Sequence, residues 1–359
     1  MLKLSVIVPV YNMAEGGKLE FCIDSLLAQT LDPEEYEIIA VDDHSTDDSL
    51  KILKKYESDR PGHFFAVASD RNRHQGGAKN RGLAMARGEW IGFIDADDWV
   101  TPDYYERLLS AAESAGADMA GCDYCFTKEH GFEPGERIPN NRPEQAGVLD
   151  DEKKRLLLLE PGSLVVKIYR RELILGLYKP GSSERVDIFP EDIFYEDNAV
   201  AGSWMLRATC FAYIPEALYF YYQHDTSTVH SVNMKNLEDR KKSAYLMLGA
   251  AREEGWYGDY TPELEYRFSV LFYKNTLFSA LQAKPHPAGV YGFTKALARR
   301  MRDVFPDFQD NPYYVEKVHP EEKKLIGMQQ RSQLLFYLYY RLLWFYRDVI
   351  RGKKKASDS

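Results

Sequence analysis

Cysteine is scarce: Cys22, Cys122, Cys125 and Cys210 are the only four in 359 residues. That count excludes a disulfide framework as the source of stability and favours a reducing compartment. Cys122 and Cys125 have the spacing of a redox or zinc half-site. In an extended segment, however, residues three apart face opposite sides, and no second Cys or His pair stands nearby. Basic excess is also missing. A formal net charge of −9 and a sequence pI of about 5.5 argue against sequence-independent nucleic-acid binding, which needs cations to displace counterions. No uninterrupted apolar run approaches the about twenty residues that a membrane span requires. Leu2–Val10 is too short for a secretory leader and no small-residue cleavage site follows, so it reads as a first strand. No internal repeat is visible.

What is present is a globular composition, 45% hydrophobic and 28% charged, in a chain long enough for one large domain with an appended part. Leu4–Tyr11, Glu37–Val41, Phe64–Ala68 and Trp90–Ile94 are short apolar, β-favouring runs, the mark of strands buried on both faces of a parallel sheet. Between them, helical spacing of apolar residues predicts helices over Lys18–Gln29, after Ser45–Asp48, from Ala78 to Ala86, and over Tyr104–Ala115. Such alternation specifies βαβ crossovers. A fifth strand is expected near Ala117–Phe126, a long surface loop over Lys128–Asp151, and strands over Ser163–Tyr169 and Thr209–Ile214 around a helix at Ala199–Leu206. These later strands form a second, mixed sheet edge, and the sheet domain closes near Tyr222. Helices follow at Asn236–Arg252 and Leu264–Ala283.

The chemistry concentrates in Asp95-Ala96-Asp97-Asp98, where the strand beginning at Trp90 runs into three carboxylates. In an open α/β sheet, ligands sit beyond the carboxyl ends of strands, so these acids face the binding crevice. Closely spaced carboxylates repel, and a hard divalent cation that also carries a phosphate-bearing substrate relieves the repulsion. A metal–diphosphate site is one reading. Carboxylates capping the helix that Thr101-Pro102 opens is the other.

Five blocks in order resemble the inverting family 2 glycosyltransferases of bacterial surface-polysaccharide type. They are Val6-Ile-Val-Pro-Val-Tyr-Asn12, Glu37-Ile-Ile-Ala-Val-Asp-Asp-His-Ser-Thr-Asp47, Asn80-Arg-Gly82, Gly88-Glu-Trp-Ile-Gly-Phe-Ile-Asp-Ala-Asp-Asp98 and Tyr195-Glu-Asp197. The resemblance covers Lys3 to Ser231. It implies an α/β GT-A fold, a Rossmann-like, mostly parallel sheet flanked by helices, with a further helical region behind it. The expected division is 1–228 for nucleotide-sugar binding and transfer, 229–330 for the helical region, and 331–359 for an aromatic and basic amphipathic tail.

The resemblance also implies roles. Pro9, Tyr11 and Asn12 flank the base and ribose, and Asp43, with Asp42 beside it, hydrogen-bonds one of them. Asp95 and Asp97 form the Asp-x-Asp motif, Asp97 being the direct ligand of Mg²⁺ or Mn²⁺ across the diphosphate, and Asp98 assists with sugar or metal. Asp197, in Glu196-Asp197, is the catalytic base, although Glu191-Asp192 is a second Glu-Asp pair. His224 or His230 stands where relatives supply a third metal or diphosphate contact. Lys79 and Arg81 reach phosphate or are ordinary helix-surface charges, and Lys167 lies near the acceptor side.

The family's processive synthases carry a Gln-x-x-Arg-Trp motif and transmembrane helices, and neither is found here. The expected activity is therefore addition of one sugar, from a nucleotide-diphosphate sugar such as a UDP-sugar, to a cell-surface glycan or lipid-linked acceptor. A nucleotidyltransferase and a non-catalytic nucleotide-sugar-binding module are the competing classes. The tail, Leu334–Ile350, is rich in Leu and aromatics, is interrupted by Arg341, Arg347 and Asp348, and is followed by Arg351 and Lys353–Lys355. It reads as an interfacial helix on the inner face of the plasma membrane or as a helix docked on protein. The expected location is the cytoplasm.

Overall fold

The computed structural model describes residues 2–176, 187–223, 233–283 and 289–346. Two compact units make up the chain: Met1–Ser231 with Lys242–Asp259, and Val232–Lys241 with Tyr260–Ser359.

The first unit is built on one mixed sheet. Its leading half alternates strand and helix: β1 (Leu4–Val10), α1 (Lys18–Leu27), β2 (Tyr36–Asp42), α2 (Ser49–Asp59), β3 (Phe64–Ala68), α3 (His74–Met85) and β4 (Trp90–Phe93). There follow β5 (Trp99–Val100), α4 (Tyr104–Ala115), β6 (Met119–Thr127), β7 (Arg137–Ile138), β8 (Gly147–Val148), α5 (Asp151–Leu159), β9 (Lys167–Arg170), α6 (Arg171–Leu175), α7 (Glu196–Arg207) and β10 (Cys210–Tyr222). The strand order is β3-β2-β1-β4-β9-β6-β10-β5, with β7 on β6 and β8 on β10. β1 through β4 pair in parallel, and so do β6 and β10.

Of the two strands expected to form a second, mixed edge, β10 lies there, parallel to β6 and antiparallel to β5 and β8, whereas β9 is inserted within the sheet. β9 runs antiparallel between β4 and β6, so one continuous sheet forms. The 128–166 connection, which carries β7, β8 and α5, brings β9 back beside the strand it follows, β6, and neighbours joined in that way run antiparallel without a crossover.

All seven residues of β1 are buried. Leu4, Val6, Val8 and Val10 face a core shared with Leu19, Ile23 and Leu26 of α1, Leu53 of α2 and Leu108 of α4. Ile7, with Ile39, Val41, Ile91 and Phe93, faces the opposite core, closed by Ala78 and Leu83 of α3 and by Trp204 and Met205 of α7. Alternate side chains thus serve two helix layers, and the strand reads as a continuous apolar run for that reason.

The second unit is helical. It takes in the beginning of α8 (Met234–Glu253), then α9 (Thr261–Phe268), a π-helical stretch over Ser269–Asn275, α10 (Thr276–Gln282), α11 (Val290–Val304), α12 (Pro312–Lys317), α13 (Pro320–Arg331) and α14 (Gln333–Phe345). Phe268 and Phe272 stack at 4.7 Å over a core containing Leu277, Leu297, Met301, Phe308, Ile326 and Phe336. Among the described residues, no helix is long and apolar enough to cross a membrane.

Candidate active site

The ends of β2 and β4 and the N-terminus of α7 carry the acidic side chains. The loops after β1 and β2 are stitched together. Asp43 donates its backbone N–H to Val10 O (2.8 Å), Met13 N–H donates to Ser49 Oγ (2.8 Å), and Thr46 N–H donates to Asn12 Oδ1 (2.8 Å). Pro9 is buried and Tyr11 and Asn12 are exposed at the rim. Asp42 and Asp43 are both buried. Asp43 accepts Arg73 N–H on both oxygens, at 2.9 and 3.0 Å. Burial pushes its carboxyl up to about 6, against the opposing pull of the Arg73 and His74 N–H groups. Asp42 Oδ2 accepts Ser45 N–H, while Asp42 Oδ1 and Ser69 Oγ are buried with no protein partner. Unpartnered buried oxygens at a strand end are groups that a ligand can satisfy.

The loop after β4 turns tightly, Asp98 N–H donating to Asp95 O at 3.0 Å. Asp98 is spent inside the protein, accepting Tyr219 O–H (2.5 Å) and Tyr222 N–H (2.9 Å). It thus braces β10 against the loop. Burial, then Asp97 and Asp95, pushes its carboxyl well up. The expected α4 cap at Thr101 differs: α4 starts at Tyr104, after Asp103, and Thr101 Oγ1 donates to Asp103 Oδ1 (2.7 Å). Asp95 and Asp97 are half-buried. Gln75 Nε2 reaches Asp95 Oδ1 at 3.4 Å. Burial raises the Asp95 carboxyl, Lys79 opposes that, and Asp97, Glu196 and Asp197 add to it.

Glu196 opens α7, with Asp197 in its first turn, where the positive end of the helix suits a carboxylate. Tyr195, just before it, has φ of 63°, a strained position for an aromatic residue. Its carbonyl accepts Ser243 O–H at 2.6 Å. Lys79 lies under this turn and not on a helix surface: its Nζ donates to Glu196 Oε1 at 2.6 Å, and both side chains are sealed from solvent. Asn198 Nδ2 donates to Asp197 Oδ1 (2.9 Å).

Two residues given no role by sequence, Arg73 and Asn80, organise this region. Asn80 Oδ1 accepts Ile188 and Phe189 N–H (3.1 and 2.8 Å) and its Nδ2 donates to Phe189 O (2.8 Å). Arg73 joins Asp43 to the segment before α7. Its backbone N–H holds Asp43, its carbonyl accepts Asp192 N–H (3.0 Å), and its guanidinium pairs with Glu191 at 3.4 Å. Arg71 grips Asp192 with two bonds, at 2.8 and 3.1 Å. A Cβ on Gly76 would lie 2.1 Å from Pro190 O, so α3 approaches that segment closely enough to need glycine.

Lys79, Asp97, Glu196 and Asp197 therefore all act on the charge of Asp95, while Arg73 ties Asp43 to the segment before α7. Among the described residues, the non-glycine residues with positive φ are Asn12, His44, Asp192 and Tyr195 in these loops and His74 at the start of α3. Lys167 is fully buried, its Nζ donating to Pro161 O and Ser163 O at 2.9 Å. Arg81 is exposed and faces Asp70 at 3.8 Å. His224 and His230 lie outside the described residues. Cys122 and Cys125 are buried free thiols. A cavity of about 580 Å³ lined by Phe189, Trp204, Arg207 and Glu254 contains none of the strand-end carboxylates.

Residues 5–171 match the model of glycosyl transferase family 2. The chain is 34% identical over 240 residues to the uncharacterized glycosyltransferase YibD of Escherichia coli, covering 66% of each chain. It is 31% identical over 242 residues to the putative glycosyltransferase EpsH of Bacillus subtilis, covering 66% of this chain and 65% of that one. The match thus spans just under two thirds of these relatives' length. The structure of Staphylococcus aureus TarS residues 1–349 with UDP-GlcNAc superposes with a TM-score of 0.63 at 22% identity, over 96% of this chain and 92% of that one. The fold is the GT-A type.

Proposed function

The chain belongs to glycosyltransferase family 2, and on that premise we propose that it transfers one sugar from a UDP-sugar to an acceptor hydroxyl, with inversion at the anomeric carbon. The acceptor is a growing cell-surface glycan or a lipid-linked oligosaccharide, and the location is the cytoplasm, at the inner face of the plasma membrane. The observation that carries the reading is that the loop after the parallel strand β4, with Asp95 and Asp97, meets the first turn of α7, with Glu196 and Asp197, over the buried Lys79–Glu196 pair. The UDP-GlcNAc named for TarS supports UDP as the donor's nucleotide.

In this reading the β1 and β2 loops receive the nucleoside. Tyr11 and Asn12 line its rim, and the buried carboxylates of Asp42 and Asp43 accept its hydroxyl or base N–H groups. Asp95 and Asp97 would hold Mg²⁺ or Mn²⁺, with His224 as a further ligand. The donor set fits: two oxygen-bearing side chains, half-buried among like charges, favour a hard cation. Among the described residues no three ligating side chains converge, and diphosphate oxygens and water would complete the shell beside Asp95, Asp97 and His224. Bound there, the cation would neutralise the negative charge that builds on the departing diphosphate.

Asp197 removes the acceptor hydroxyl's proton as that oxygen attacks the anomeric carbon, and the bond to the diphosphate breaks in the same displacement. Glu196, tied to Lys79, fixes the turn from which Asp197 projects. Glu191 and Asp192 are engaged by Arg73 and Arg71, which supports Asp197 as the base.

The test is a panel of nucleotide sugars with Mn²⁺ or Mg²⁺, scored by nucleoside diphosphate release with and without candidate acceptors. Asp97→Ala and Asp197→Ala each abolish transfer in a folded protein. Near-full turnover by either variant would overturn the assignment, and release of pyrophosphate would mark a nucleotidyltransferase.

A further inference from the structure

In most helices of this chain the large apolar side chains are turned inward; in α14 they are not. Leu334, Leu335, Leu338, Leu342 and Phe345 are all exposed, Leu335 by 63%, Leu342 by 68% and Phe345 by 63%. At the about 100° step of a helix these five fall on one face. Phe336 and Tyr340 occupy the opposite face and are buried. Tyr346, at the end of the stripe, and Tyr339, at its edge, are exposed as well, and Lys324 Nζ lies 5.7 Å from the Tyr339 ring. A contiguous exposed apolar face of this kind marks a binding surface.

The charge beside the stripe selects the partner. Arg341 is exposed, and Arg347, Arg351, Lys353, Lys354 and Lys355 follow in sequence, in a chain whose net charge is −9. A basic cluster at one end of an acidic chain has its complement in an anionic surface. The stripe's aromatic and aliphatic mixture suits the boundary between head groups and acyl chains. An apolar face or a basic cluster alone binds membranes weakly, whereas both together give stable attachment.

We propose that α14 lies in the plane of an anionic lipid bilayer with Leu334, Leu335, Leu338, Leu342 and Phe345 immersed, the basic sequence that follows it supplying the preference for anionic lipid. This attachment rests on the helix surface and the sequence after it, and it stands apart from the catalytic assignments.

Flotation of the full chain with vesicles of phosphatidylcholine alone, and of phosphatidylcholine mixed with phosphatidylglycerol, tests the proposal. The wild type floats with the anionic vesicles at least tenfold more than with the neutral ones. Leu338→Glu/Leu342→Glu removes flotation while leaving the circular dichroism spectrum unchanged, since both positions are already in water. Lys353→Glu/Lys354→Glu/Lys355→Glu also removes it, on the order of a hundredfold from three reversed charges. Equal flotation with both vesicle types, or none with either, overturns the proposal. So does a wild-type dimer in sedimentation that Leu338→Glu/Leu342→Glu converts to monomer without any vesicle binding, which assigns the face to a second copy.

Discussion

Lys79 Nζ stands 2.6 Å from Glu196 Oε1, with both side chains sealed from solvent, and this contact ties α3 to the first turn of α7. Burial opposes the charged lysine, yet Glu196, Asp95 and Asp197 together hold its ammonium above the usual range. Lys79→Met leaves Glu196 buried without its counter-charge, and breaking such a pair costs about 3–5 kcal/mol. Adding Glu196→Gln removes the stranded charge. The double variant therefore unfolds in urea at a higher concentration than Lys79→Met alone, and a double-mutant cycle measures the coupling. Additive losses would show that the contact carries no net interaction.

Asp43 gives a pH signature. Its carboxyl is held up to about 6 mainly by burial, and the proposed contact with the nucleoside uses the ionised form. Affinity for a UDP-sugar, whose diphosphate diester has no group titrating in that range, falls as pH drops below about 6. Asp43→Asn shows weaker binding and loses that step. For folding the sign is reversed. A carboxyl with a raised folded-state value contributes stability at low pH, and that contribution is lost as pH rises through about 6. Asp43→Asn is accordingly more resistant to heat than the wild type at pH 8, and the difference vanishes near pH 4. Calorimetry at the two pH values reads both effects.

The leading half of the sheet was legible because each strand is buried on both faces and each helix on one, so period and composition report the layer directly. The acidic strand ends were legible for the same reason, since a carboxylate after an apolar run stands out. Arg73, Asn80 and the buried state of Lys79 were not. Their partners, Asp43, Ile188–Phe189 and Glu196, lie 30, about 109 and 117 positions away, and no local pattern encodes such a distance. Insertion of β9 is not legible either, because Lys167-Ile168-Tyr169-Arg170 is short and its place between β4 and β6 is set by pairing with strands far away in sequence. The Gly76-Gly77 pair inside a helix was the one available hint that a backbone passes close by.

Asp97 and Asp197 separate by kinetics. The proposed mechanism gives Asp197 its role only as the acceptor loses its proton, so Asp197→Asn keeps donor affinity and lowers kcat by about 10²–10⁴-fold. Asp97→Asn instead weakens donor binding in the presence of Mn²⁺ and lessens the benefit of adding the metal. Isothermal titration with a UDP-sugar, beside steady-state rates, distinguishes the two. A large loss of donor affinity in Asp197→Asn would move that residue from base to ligand.

Gly76 and Gly292 make a matched pair for testing the contact between α3 and the segment before α7. Gly292 is exposed within α11, and a Cβ there meets nothing within 4 Å. Gly292→Ala therefore stabilises the protein by about 0.5–1 kcal/mol through helix propensity. Gly76 also sits in a helix and would gain as much from propensity alone, but its Cβ would press on Pro190 O at 2.1 Å, a backbone atom that cannot swing aside. Gly76→Ala is therefore destabilising, by about 1–3 kcal/mol in the manner of overpacked cores. Displacement of Pro190 also moves Glu191 and Asp192 away from Arg73 and Arg71, so turnover falls further than stability does. If Gly76→Ala instead stabilised the protein as Gly292→Ala does, the close approach of the two segments would be refuted.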